Sequence, residues 1–264
     1  MSGVWRVSLQ RMRADWPIVA AAWLITTLAA VLFAAGVIYP AAAAESGLQR
    51  ALRDAPSISK RLDISRYDVP ENADAVDGRV AASVQEIVAG GGTIVRDWRR
   101  SATLPLAART GAKLGDQADF GYIDGLADHA TLVAGAWPQE GVLPTATIDV
   151  ALAKPAADAL GLQVGDRIDV VDQPSPPFRL AAIYEPRDAA DPFWNGDEQL
   201  TTGLHQNAQY RTFGPLLASR TVVLTAAGTG QLNLHWRVYP SFDALAVDDA
   251  GHLAQLIDSI RQEI

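Results

Sequence analysis

Four histidines, two acidic series and one adjacent aromatic pair are the residues of this chain whose types could carry chemistry. His129, His205, His235 and His252 are far apart, with no H-E-x-x-H pair and no second ligand at the spacing a zinc site uses. No metal is implied. Asp116, Asp119, Asp124 and Asp128 do not match the Asp-x-Asp/Asn-x-Asp/Asn-Gly loop that wraps calcium, and Asp166, Asp169 and Asp172 point outward from a strand. Both series read as solvated acidic edges. A serine nucleophile has no G-x-S-x-G or S-x-x-K context, since lysine occurs only at Lys60, Lys113 and Lys154. Gly90 to Gly92 lead into Thr93, Ile94 and Val95, which open a strand where a phosphate loop would have Gly-Lys-Ser/Thr opening a helix. Acidic residues are too common here for a carboxylate pair to mark a glycosidase. No catalytic residue, cofactor site or metal ligand is therefore assigned.

The large aromatics are candidates of another kind, because they carry much of the energy of protein interfaces. Trp137 and Trp236 read as core residues. Phe193 and Trp194 sit in a loop rich in Asp and Pro, Pro186 to Asp197, and are expected at the surface as partner contacts.

The elements that must position these residues follow from periodicity. Leu62, Ile64 and Arg66 read as a short strand, and Asn72 or Asp74 caps a helix with Val76, Val80, Val84, Ile87 and Val88 on one face. Strands are expected over Thr93 to Trp98, Ala102 to Leu106 and Ala118 to Ile123. Ala151 to Leu160 is helical, with Pro155 moving its start to Lys154 or Pro155 and Gly161 closing it. Val164-Gly165-Asp166 turns the chain into a strand with Ile168 and Val170, and Phe178, Leu180 and Ala182 form its neighbour. Val222 to Leu224 and Leu232 to Val238 read as strands, and a C-terminal amphipathic helix carries Leu253, Leu256, Ile257, Ile260 and Ile264. The fold class is α+β, with short, largely antiparallel strands and amphipathic helices in a mixed α/β domain.

Ahead of that domain stands an uncharged, almost wholly apolar run from Trp16 to Tyr39, in which Thr26 and Thr27 can return hydrogen bonds to a helix backbone. Roughly 20 such residues span a bilayer core as a helix. Arg6, Arg11 and Arg13 precede the run, and Glu45 is the first charge after it, so the N-terminus is expected in the cytoplasm and residues 45–264 outside. Ala41 to Ala44 would suit a signal peptidase, but signal cores are usually about 7–15 residues, so the run is read as a retained anchor. The division is a basic leader over 1–15, a transmembrane helix over 16–44 and an extracytoplasmic domain over 45–264, with a second lobe suggested at about 145–220. Ala41 to Asp54 continues the helix outward as a stalk until Pro56. The localisation is the plasma membrane, with a single pass in this chain.

A formal net charge of −8 argues against nucleic acid and against lying flat on anionic lipid. Without cysteine, the exported part draws its stability from packing.

Several segments, in order, resemble the FtsX-like/MacB-like ABC transporter permeases. These are the basic, Trp-containing leader and first span (Trp5 to Tyr39), Leu132-Val133-Ala134-Gly135-Ala136-Trp137-Pro138, Ile148 to Leu152, and Ala159-Leu160-Gly161-Leu162-Gln163-Val164-Gly165-Asp166-Arg167-Ile168. Ile183-Tyr184-Glu185-Pro186 through Phe193-Trp194 is similar to the loop that follows in that family. The resemblance implies one membrane helix, a MacB-like periplasmic core domain and three further helices, and the chain is read as the first part of such a permease or a half-size, truncated relative. It also implies no catalysis in the permease itself. A separate cytoplasmic ABC ATPase drives motion to an extracytoplasmic protein partner or a lipid or peptide cargo, and the permeases work as a dimer. The alternative reading is a freestanding membrane-anchored or secreted extracytoplasmic binding protein.

Overall fold

Alternating and helical periodicities resolve into one sheet with helices packed on it. The computed structural model describes residues 21, 23–33, 43–52, 54–89, 91–107, 115–171, 176–207, 209–225, 231–242, 251–252 and 254–258. The basic leader, the ends of the apolar run, Lys113, Asp172, Leu253, Ile260 and Ile264 lie outside them. The chain divides into two compact units, Met1–Asp54 with Leu245–His252 and Ala55–Ala244 with Leu253–Ile264.

In the first unit residues 23–33 and 43–52 are helical. Thr26 and Thr27 both donate to the carbonyl of Trp23, so the two hydroxyls of the apolar run are satisfied within their own helix. Trp23, Leu24, Leu28, Val31 and Phe33 are exposed. Among the described residues no helix is long and apolar enough to cross a membrane.

The second unit begins with strand β1 (Leu62–Asp68), which turns Ile64 inward, and helix α1 (Ala73–Val88), which buries Val76, Val80, Val84 and Ile87. Each such burial contributes about 1.5–3 kcal/mol. Asn72 precedes α1 without capping it. It ends a 3-10 turn, Pro70–Asn72, and its amide donates to Asp68 at 2.9 Å.

The chain continues through β2 (Gly92–Arg100), β3 (Leu104–Pro105), β4 (Gln117–Ile123), α2 (Leu126–His129), β5 (Ala130–Gly135), β6 (Ile148–Ala153) and α3 (Lys154–Leu160). It then forms β7 (Arg167–Ile168), β8 (Phe178–Pro186), α4 (Glu198–Thr202), β9 (Leu204–Gln206), β10 (Arg211–Leu217), α5 (Arg220–Thr225) and β11 (Leu232–Pro240). The sheet order is β1-β11-β2-β4-β10-β6-β8-β5, with β3, β7 and β9 paired beside it. Most pairs are antiparallel, while β10 with β4 and β6 with β8 are parallel. The strands β6 to β10, from the suggested second-lobe region, belong to this same sheet.

Helix α3 starts at Lys154, with Pro155 in its first turn. Gly161 closes it at φ 68°, and the Leu162 N–H returns to the Ala157 carbonyl at 2.9 Å, the paired closure that a left-handed glycine permits. Residues 220–225, expected in part as a strand, are helical instead. Ser219 supplies the cap, its carbonyl and hydroxyl accepting from Val223 and Val222 at 3.1 and 3.4 Å. That cap, with the burial of Val222 and Val223, outweighs the β-preference of branched residues.

Both faces of the sheet are packed. Along β6, Val150 and Leu152 join a large core with Trp98, Phe120, Phe178 and Trp236, while Ala151 and Ala153 join a second one with Tyr184, Phe193 and Trp194. The small alanines on that second face leave room for the large rings above them.

Candidate functional site

The described residues singled out for chemistry are dispersed, and several of them already have work in the fold. His129 binds Asp191 and His235 lies 3.4 Å from Asp63, while His205 is exposed on β9. Burial is the main influence on His235 and lowers its pKa; Asp97 and Asp63 oppose that. Among the described residues no group of His, Asp or Glu is arranged to hold a metal ion.

Asp128 and Asp166 are exposed, as expected of solvated edges, whereas Asp116, Asp119, Asp124 and Asp169 are partly or wholly buried. Asp116, 4 % exposed, takes a two-pronged contact from Arg211. Asp124 pairs with Arg96 at 3.3 Å, and Asp119 accepts from Gln199 at 2.7 Å. Asp166 accepts from the Gln163 backbone at 2.8 Å and Asp169 lies 2.7 Å from Arg167. For Asp116 and Asp124 the physical reason is an arginine on a neighbouring strand: Arg211 of β10 reaches the first and Arg96 of β2 the second, and sequence spacing within one segment does not reveal cross-strand partners.

The densest of these networks runs beneath the 186–197 loop. Arg99 grips both oxygens of Asp97 at 3.0 Å and reaches Asp197 at 2.9 Å. Burial opposes its charge, yet Asp97 and Asp197 outweigh burial and raise its pKa above the ordinary value. Arg237 is fully buried, donates to the Phe193 carbonyl and stands 3.6 Å from Asp97. Asp197 also caps α4, accepting from the N–H groups of Gln199 and Leu200. Asp191 caps the 3-10 turn Pro192–Trp194 by accepting from the Phe193 N–H at 2.8 Å, and Tyr239 donates to the Pro192 carbonyl at 2.9 Å.

These ties turn Phe193 and Trp194 inward, at 4 % and 0 % exposure. The expected exposure of the pair is thus corrected. The Trp194 indole N–H finds the Asp188 carbonyl at 2.9 Å, and its ring stacks near Tyr184. An Asp/Pro-rich composition suggests an exposed loop, but here the aspartates cap turns and free the aromatics for the core.

Surface that remains open lies elsewhere, around β5. Leu132 and Val133 are 37 % and 45 % exposed on this terminal strand, and Val142, Leu143 and Val164 are exposed nearby. A cleft of about 510 Å³ adjoins the strand's end, lined among others by Gly135, Trp137, Pro144, Val164 and Val222. Asp149 and Arg179 also line it and neutralise each other at 2.7 and 2.6 Å. Gly135 is required there, since it has φ 83° and a Cβ would stand 2.0 Å from the Ala181 carbonyl oxygen. Chemically this arrangement offers apolar contact and backbone hydrogen bonds. Sequence reasoning marked Leu132 to Pro138 without assigning it a contact role, although its lack of charge was a readable signal.

No protein-family model and no curated protein matches the chain. Among solved structures it is similar to a domain of a provisionally assigned permease protein from Porphyromonas gingivalis, at a TM-score of 0.35 and 11% identity over 68% of this chain and 69% of that one. A likeness this slight bears on neither fold nor function.

Proposed function

We propose that this chain is the membrane-anchored, extracytoplasmic part of an FtsX/MacB-like ABC transporter permease, a mechanical and binding component without catalysis of its own. The observation that carries the reading is the uncharged run from Ile18 to Tyr39, flanked by arginines before and Glu45 after, which leads into a mixed α/β domain. The ordered resemblance of the segments from Trp5 to Trp194 supports it.

The domain suits a part that passes on motion. Arg96 of β2 pairs with Asp124 at the end of β4, Arg211 of β10 with Asp116 at the start of β4 and Arg237 of β11 with Asp97 of β2, and packed faces respond as rigid bodies. Motion of a cytoplasmic ATPase would enter through the first helix and the helical stretch at residues 43–52, and would leave through contacts with an envelope partner or cargo. A dimer of permeases is part of the same proposal.

The open β5 edge and its cleft also suit the second reading, a freestanding anchored binding protein. The two separate on whether the chain co-purifies with an ABC ATPase from the membrane of its own cells. A reporter fused after Ile264 is expected to read extracytoplasmic under both readings. A cytoplasmic reading at that point would sink both.

A further inference from the structure

The sheet has two ends, and they are treated differently. Edge strand β1 carries Asp63, Arg66 and Asp68 in seven residues, with Arg66 and Asp68 paired at 3.2 Å. Charges on an edge discourage pairing with another chain. Edge strand β5, with the sequence Ala-Thr-Leu-Val-Ala-Gly, carries none. Its ends are tied to β8, through the Arg187 N–H on the His129 carbonyl and the Ala136 N–H on the Ala181 carbonyl, both at 3.0 Å. Its other side has no ladder partner among the described residues.

The lack of charge extends past the strand. From Ala130 to Ile148 the single charged residue is Glu140, and its carboxylate accepts from the Arg220 backbone N–H at 2.8 Å. In a chain of net charge −8 this is a neutral, apolar strip beside a cleft whose own charges, Asp149 and Arg179, cancel.

From this juxtaposition we propose that β5 is a strand-addition site, where an extended, uncharged stretch of a partner polypeptide pairs along the free edge and seats one apolar side chain in the cleft. The backbone donors and acceptors on that side, on either side of the register shift between Leu132 and Ala134, are complementary to an extended backbone, and a pocket at the end of the strand selects a side chain. A charged segment would find only Glu140, already bonded to the Arg220 N–H, along the strip and would lose hydration there. The proposal rests on the reading above only for where the partner is met, because strand addition in detergent is independent of topology.

The test uses the full chain in detergent micelles and an array of uncharged peptides of about eight residues, a usual strand length. The peptides alternate valine and threonine, and the central position runs through the apolar residues. Saturable binding of array members with a large apolar centre is expected. Methylating every second amide, replacing the threonines with lysine, or introducing Leu132→Lys or Val133→Lys should each weaken it at least about tenfold. Tyr67→Lys on the opposite edge should leave binding unchanged, and the thermal midpoints of the three variants should stay close to that of the parent. Absence of saturable binding, equal binding of the methylated peptides, or indifference to both β5 variants would overturn the proposal. So would concentration-dependent self-association abolished by Val133→Lys, which would make a second copy of this chain the occupant.

Discussion

The imidazole of His129 lies flat on the ring of Phe193, with centroids 4.0 Å apart and planes within 3°, while its Nδ1 lies 2.8 Å from Asp191. One residue at the end of α2 thus holds both the cap and the buried ring of the 186–197 loop. Replacing His129 with Ala removes a stack and a charge-assisted bond, a loss of about 1–2 kcal/mol. Thermal unfolding should register it, and protease cleavage should rise between Pro186 and Asp197. An unchanged cleavage pattern would show that the clasp does not restrain the loop.

Trp194 distinguishes a core role from an interface role. Trp194→Ala should cost about 3–5 kcal/mol in unfolding free energy, the range for deleting a buried indole. A stable variant that loses only partner binding would return the residue to the surface role that its loop composition suggests.

Asp97 is shared by Arg99 and the fully buried Arg237. Asp97→Asn takes the nearby carboxylate from the buried Arg237 and leaves Arg99 with Asp197 alone, and should cost about 3–5 kcal/mol. Asp197→Asn keeps the helix cap and touches a more exposed pair, so its cost should be about 1 kcal/mol or less. Denaturant titration of the two variants measures the difference. Equal costs would mean that Asp97 does not serve both arginines.

Part of this was legible in advance. The valine stripe of α1, the proline start and glycine stop of α3, and the strands β1, β4 and β11 follow from local periodicity and capping, which act over a few residues. Strand β10 was not visible. Its Gly214-Pro215 pair reads as a turn, yet the strand passes through the middle of the sheet with a register shift between Phe213 and Leu216. The cross-strand arginine partners of Asp97, Asp116 and Asp124, which are Arg237, Arg211 and Arg96, were hidden for a related reason. Arg211 and Asp116 are far apart in sequence and meet only because β10 lies beside β4. The open edge at β5 depends on strand order, which local patterns do not contain.

Burial holds the imidazole of His235 below its ordinary value of 6.5, with Asp97 and Asp63 favouring the cation and Arg237 and Arg61 disfavouring it. The unfolded chain therefore binds this proton more readily than the folded one. The stability tied to neutral His235 is fully present above about 6.5 and is lost as pH falls through the folded value. The thermal midpoint should drop on acidification below that point, and His235→Gln should flatten the drop. Equal slopes in the two proteins would assign the pH dependence to other groups.

The central claim is that residues beyond the apolar run lie outside the membrane with the N-terminus inside. The chain has no cysteine, so single introduced thiols report without background. Ser2→Cys and Tyr67→Cys, the latter at a position 62 % exposed, would be treated in intact cells with a membrane-impermeant maleimide. Labelling of the thiol at position 67 is expected before lysis, and of the thiol at position 2 only after it. Labelling at position 2 in intact cells, or protection of position 67 until lysis, would contradict that claim.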